Sequence, residues 1–158
     1  LDRETSGVMI FAKHKWHKEY LQEQFANREV HRIYHALVEG KPEKTSGTIQ
    51  EWLLEDKFLK VKAVKKNHPR AKEAITHYNV EDNDDYASLI QLTIETGRRH
   101  QIRVGLANLG CPVVGDEAHG AEGNPIGRIA LHATSLEFLH PENDDPVRFE
   151  APIPFGPE

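Results

Sequence analysis

Two short polar stretches carry the reactive side chains of this 158-residue chain: Leu1-Asp2-Arg3-Glu4-Thr5-Ser6-Gly7 at its start and Thr96-Gly97-Arg98-Arg99-His100-Gln101-Ile102-Arg103 near its middle. The first sets a short carboxylate beside a turn-forming Thr-Ser-Gly. The second sets guanidinium groups and an imidazole on a segment short enough to reach back to it. Arginine is always protonated, so a neighbouring Asp is driven to its ionised form, and a bidentate contact fixes its direction. Asp2 held in that way is a nucleophile or a base, able to form and release a covalent adduct or to take a proton. Read alone, Asp-x-x-Thr-Ser-Gly is also an ordinary turn stabilised by its Asp, and Arg103 an ordinary arginine on a short helix.

A third stretch, Arg32-Ile33-Tyr34-His35-Ala36, offers an aromatic face. Tyr34 is either core on an alternating strand or a platform on which a nucleobase stacks, a contact worth about 1–3 kcal/mol. Ten histidines raise the question of metal. His31-x-x-x-His35 lacks the glutamate of a zinc-protease motif and falls in an expected strand, and His14-x-x-His17 is a lone pair on a helix, so no metal site is expected. Cys111 is the single cysteine and reads as a buried structural thiol.

The elements that must position these groups follow from periodicity. Trp16, Tyr20, Leu21 and Phe25 recur at helical spacing within 14–27, and Ile102, Leu106 and Leu109 do so up to a stop at Gly110 and Pro112. On that second helix Arg99 and Arg103 fall i, i+4 on one face. Strands are expected over 8–12, 32–39, 48–54, 58–64, 74–80 and 88–94, with alternation over 32–39 and 88–94, and the acidic run Glu81 to Asp85 as a turn. Late strands are expected around Leu136 and Phe138 and from Val147 to Ala151, with a turn at Glu142 to Asp145 between them. The expected fold is α/β of the α+β type: a mixed, mostly antiparallel sheet with flanking helices, in one domain over 1–158.

With 38% hydrophobic and 28% charged residues the chain has an ordinary globular composition. No apolar run approaches the roughly 18–20 residues a membrane helix needs. A lone cysteine forms no internal disulfide, which points to a reducing cytoplasm. The net charge of −5 hides segregation: seven Lys or Arg and no acid lie between Lys57 and Lys72, and Arg98, Arg99 and Arg103 form a second cluster. Phosphate contact depends on local rather than total charge, although a basic run is also what a solvated hairpin looks like.

Taken together and in this order, Leu1 to Gly7, Arg32-Ile33-Tyr34-His35-Ala36 and Thr96 to Arg103 resemble the signature of RluA-type RNA pseudouridine synthases. Ala71 to Tyr78, Leu109 to Asp116, Leu131-His132-Ala133 and Phe149 to Pro152 extend the resemblance along essentially the whole chain. It implies a pseudouridine synthase catalytic domain that isomerises uridine in ribosomal or transfer RNA after flipping the base, with no cofactor. It assigns Asp2 as catalytic nucleophile or base, Arg103 as the partner of Asp2, and Tyr34 as the residue lying against the uracil. Arg3, Arg98, Arg99 and His100 would lie near RNA backbone or support the Asp loop. Gly105 stands where the family commonly has His, and His119 where Tyr often precedes Gly. The family's domain begins upstream of the Asp motif, inside which this chain opens. An N-terminally truncated catalytic domain is therefore expected, or alternatively a catalytically incomplete RNA-binding fragment.

Overall fold

Alternating apolar and polar residues become strand along several stretches of the chain, and the strands join in one sheet. The computed structural model describes residues 1–156. In chain order the elements are β1 (Ser6–Gly7), α1 (Lys15–Ala26), β2 (His31–Glu39), β3 (Ser46–Glu55), β4 (Val61–Val64), β5 (Lys72–Asn83), β6 (Ala87–Ile94), α2 (Gln101–Asn108), β7 (Leu131–Leu139) and β8 (Pro146–Glu150). A 3-10 turn, Glu117–His119, lies between α2 and β7. The eight strands run in the order β1-β7-β2-β6-β5-β3-β4, with β8 also on β7. All pairs are antiparallel except β1 with β7. This is the expected α+β class.

The main core joins the sheet to α2: Ala36 and Val38 of β2, and Ile90 and Leu92 of β6, pack with Ile102 and Leu106. Six of the eight residues of α2 are buried, so packing rather than propensity makes this short segment a helix. Gly105 fits that role. A Cβ there would sit 3.3–3.4 Å from Glu51 and Ile49 of β3, so its absence lets α2 lie close on the sheet. A separate cluster holds Leu21 of α1 and Val30 against Leu136 and Phe138. Gln24 pins the helix there, its amide donating to the Leu139 carbonyl and its oxygen accepting from the Leu139 N–H. Among the described residues neither helix is long and apolar enough to cross a membrane.

Four expectations change. Residues 8–12 form no strand: the Val8 N–H reaches the Ala133 carbonyl, after which no neighbouring strand continues the ladder among the described residues. Residues 58–60 belong to a turn, where Asp56 Oδ1 accepts the N–H groups of Phe58 and Lys60. The expected strand over 58–64 thus shrinks to β4. The acidic run is half strand, because β5 continues to Asn83 and turns only at Asp84. Finally, α2 starts at Gln101, so Arg99 lies in the turn before it, exposed, while Arg103 is buried. The two share no helical face.

Candidate active site

Arg103 is carried inward by α2, and its guanidinium is 4% exposed. Such a cation needs counter-charge, which two loops supply. The nearer is Asp116, fully buried, whose two oxygens each lie 2.8 Å from Arg103 Nε and Nη2. Gly115 makes this possible: it has φ +84°, and a Cβ would fall 2.1 Å from the Arg128 carbonyl oxygen, an approach open only to glycine. Asp2 takes the remaining corner, its Oδ2 3.8 Å from Arg103 Nη1, with Glu4 3.5 Å from the same nitrogen. The bidentate hold expected on Asp2 is therefore made on Asp116, while Asp2 meets Arg103 at ion-pair distance. A fork has one pair of parallel donors, and the buried carboxylate occupies it.

Burial pulls the Arg103 pKa down, but the hydrogen bonds and charge of Asp116, then Asp2 and Glu4, outweigh it and the net shift is upward. The third guanidinium nitrogen also donates to His100 Nε2 at 3.0 Å. Arginine only donates, so His100 carries its proton on Nδ1 and passes a hydrogen bond to His119 Nε2 at 3.2 Å. Burial lowers the pKa of both histidines; Arg103 adds to the shift at His100 and, against the opposing pull of Asp116, also at His119. His100 holds a left-handed backbone, φ 56° and ψ 17°, which costs about 1–3 kcal/mol in a non-glycine residue and is sustained by these contacts.

The segment before α2 is fastened to β5 by side chains rather than by a helix cap. Thr96 Oγ1 accepts the Ile75 N–H and donates to Gln101 Oε1, which also accepts the Arg98 N–H. Gln101 Nε2 donates to the Ile75 carbonyl and to Thr76 Oγ1. The Asp2 loop is fastened to β7. Gly7, at φ +115°, lies so close to Ala133 that a Cβ would come within 2.1 Å of its carbonyl oxygen. Arg128 donates to Ser6 Oγ, which pairs with His132 Nδ1 at 2.8 Å, and His132 Nε2 reaches the Ala151 carbonyl. Asp2 itself closes a turn to the Thr5 N–H.

These loops and β2 enclose a cavity of about 720 Å³ whose lining includes Asp2, Arg3, Tyr34, Arg98, Arg99, His100 and Arg103, all seven residues singled out in the sequence. Tyr34 stands on β2 beside a β-bulge at Thr134 in β7, a device that re-aims side chains. Its hydroxyl is held protonated to higher pH than usual, mainly by burial, with Arg32 opposing and the Asp2 charge adding to the rise. Arg98 Nε donates to the Glu73 carbonyl. Arg98 and Arg99 also line an adjoining cleft of about 430 Å³ with Arg70 and Lys72, beside Glu55 and Asp56, so these two cations of the 57–72 run continue the wall. His35 is not aimed there: it is buried, with Nδ1 on Thr134 and Nε2 on Glu81, whereas His31 is exposed.

Sequence reasoning missed Asp116, Glu4 and Arg32 as lining or supporting residues. For Asp116 a signal existed in Gly115-Asp116, a glycine turn followed by a carboxylate, but nothing local shows that this carboxylate is buried against Arg103. Gln101 stood inside the singled-out stretch, and its clamping role needs β5 in place.

Comparison with other proteins yields a consistent set. A family model described as RNA pseudouridylate synthase matches residues 1–108. An uncharacterized RNA pseudouridine synthase of Bacillus subtilis is 37% identical over 156 residues, covering 98% of this chain and 51% of that protein. Ribosomal large subunit pseudouridine synthase C of Buchnera aphidicola is 36% identical over 163 residues, covering 98% and 52%. Among solved structures, human RNA pseudouridylate synthase domain containing 1 superposes with a TM-score of 0.84 at 28% identity, covering 98% of this chain and 67% of that one. The chain spans about half the length of the first curated relatives it matches.

Proposed function

The chain belongs to the RNA pseudouridylate synthase family, and from that premise we propose that it isomerises uridine within RNA to pseudouridine. The carrying observation is that Asp2, Tyr34 and Arg103 line one cavity, with Asp2 3.8 Å from Arg103 and Arg103 itself anchored on Asp116. The reaction breaks the bond from ribose C1′ to uracil N1, turns the ring and rebuilds the bond to C5, whose proton is released while N1 takes one up. Electrons balance without an external oxidant or reductant, so carboxylate chemistry in this cavity suffices.

A uridine extruded from RNA enters the cavity and lies against Tyr34, which replaces the lost base stacking. Asp2 acts beside the sugar and ring as nucleophile or base. Arg103, at ion-pair distance, holds that carboxylate in place. Because its fork is fixed on Asp116, its remaining donor does not wander toward RNA phosphates. The surrounding arginines Arg3, Arg98 and Arg99, continued by Arg70 and Lys72, give the flanking strand a positive track despite the net charge of −5. Relatives named for the ribosomal large subunit support ribosomal RNA as the substrate, with transfer RNA as the alternative, in the cytoplasm.

The test uses RNA labelled with tritium at uridine C5. Release by the parent chain and none by Asp2→Asn supports the assignment. RNA binding without release by the parent identifies a catalytically incomplete RNA-binding fragment. Equal release by parent and variant removes Asp2 from the chemistry.

A further inference from the structure

Arg32 projects from β2 into the wall of the same cavity, beside Tyr34 and Gly97. Its Nε is buried and has no hydrogen-bond partner. Among the described residues no carboxylate lies within ion-pair distance of it, and burial shifts its pKa downward, with only the neighbouring Tyr34 hydroxyl opposing. Its guanidinium carbon lies 5.2 Å from the centroid of the Phe25 ring, a contact that uses no hydrogen-bond acceptor. Gly97 makes room for the guanidinium: a Cβ there would stand 3.2 Å from Arg32 Nη1. A half-buried cation without a counter-ion carries a desolvation cost, and one bordering an open cavity is poised for an anion.

We propose that Arg32 is the phosphate-binding residue for the nucleotide entering this cavity, with Gly97 leaving the space its guanidinium needs. The proposal rests on the reading of the cavity as a uridine site, and it supplies what that reading lacks. Arg103 has its charge satisfied by carboxylates, whereas Arg32 is the half-buried cation with donors to spare. A phosphodiester oxygen on either side of the target nucleoside fits the fork of a guanidinium. Neither Asp2 nor the uracil ring offers that fit, since Asp2 already lies against Arg103 and uracil is neutral in the ground state.

Calorimetric titration of the full chain with uridine, uridine 5′-monophosphate and uridine 3′-monophosphate tests this. One of the monophosphates is expected to bind at least about tenfold more tightly than uridine, as a charge-assisted contact implies. In Arg32→Met the gap falls below about twofold with uridine affinity retained, which also shows that the variant is folded. Arg32→Lys keeps part of the gap, and Gly97→Ala narrows it by displacing the guanidinium. A parent indifferent to phosphate, or a gap that survives in Arg32→Met, overturns the proposal. Tritium release on the same preparations separates the two readings. Release without phosphate preference removes the Arg32 proposal and leaves the isomerase standing, and phosphate preference without release does the reverse.

Discussion

Two arginines face one cavity and are treated oppositely by the fold. Arg103 sits at the meeting point of Asp116, Asp2 and Glu4 and donates to His100. Arg32 faces no carboxylate among the described residues and leaves a buried nitrogen unbonded. Their pKa values move in opposite directions, upward for Arg103 and downward for Arg32. The lesson is that burial of a cation does not define its role; its company does. A saturated guanidinium is part of the scaffold that aims Asp2, and an unsaturated one is a site.

The sharpest way to break this contrast is to remove the group that Arg103 serves. Asp2→Asn should cut pseudouridine formation by roughly a thousandfold or more while changing stability by less than about 1 kcal/mol, because Asp2 is part-exposed and meets Arg103 only at ion-pair distance. Urea melts beside the tritium assay check both halves. Asp116→Ala reverses the balance: it strands a buried arginine and should cost about 3–5 kcal/mol, read as a lower urea midpoint at unchanged slope. If Asp116→Ala leaves stability intact, Arg103 is not anchored as described. Arg103→Lys should lower kcat by about ten- to a hundredfold with a smaller stability loss, since a point charge cannot span both Asp116 oxygens and still reach Asp2. On the other side of the comparison, Arg32→Met should leave stability within about 1 kcal/mol of the parent, because no ion pair is broken. A loss as large as that of Asp116→Ala would show that Arg32 has a structural partner and would erase the contrast.

The smallest effect concerns pH. His100 and His119 have folded pKa values below the ordinary histidine value, so the unfolded chain binds protons at these positions more readily than the folded one. Their contribution to stability is complete above about pH 6.5 and declines as the pH falls through the histidine range. Replacing His119 by Asn should flatten the loss of urea midpoint between pH 7 and pH 5. A steeper loss would mean that the pair is protonated in the folded protein.

The same two arginines show how far the sequence reaches. Thr96 to Arg103 is dense in donors, and the seven residues picked from it and its companion stretches all line the cavity. Spacing alone placed β2, β6, α1 and α2 to within a few residues, because their apolar positions repeat with the period of the element that buries them. Periodicity failed where it had no neighbour to act on. Val8 to Phe11 is an apolar run of the kind strands are made of, yet only Ser6–Gly7 pairs with β7. Arg99 and Arg103 have helical spacing, yet the left-handed turn at His100 puts one outside the helix.

What the residues determined by themselves is therefore the inventory and the class: a carboxylate in a Thr-Ser-Gly turn, an arginine cluster, an aromatic on an alternating strand, and a mostly antiparallel sheet to hold them. What only the tertiary structure decided is who holds whom. Asp116 is thirteen residues from Arg103 and could have been any surface carboxylate, and Arg32 could have been any surface cation. Ion pairing depends on distance and desolvation, which are set by how β2, α2 and the 115–119 turn pack, and neither quantity is written in local sequence.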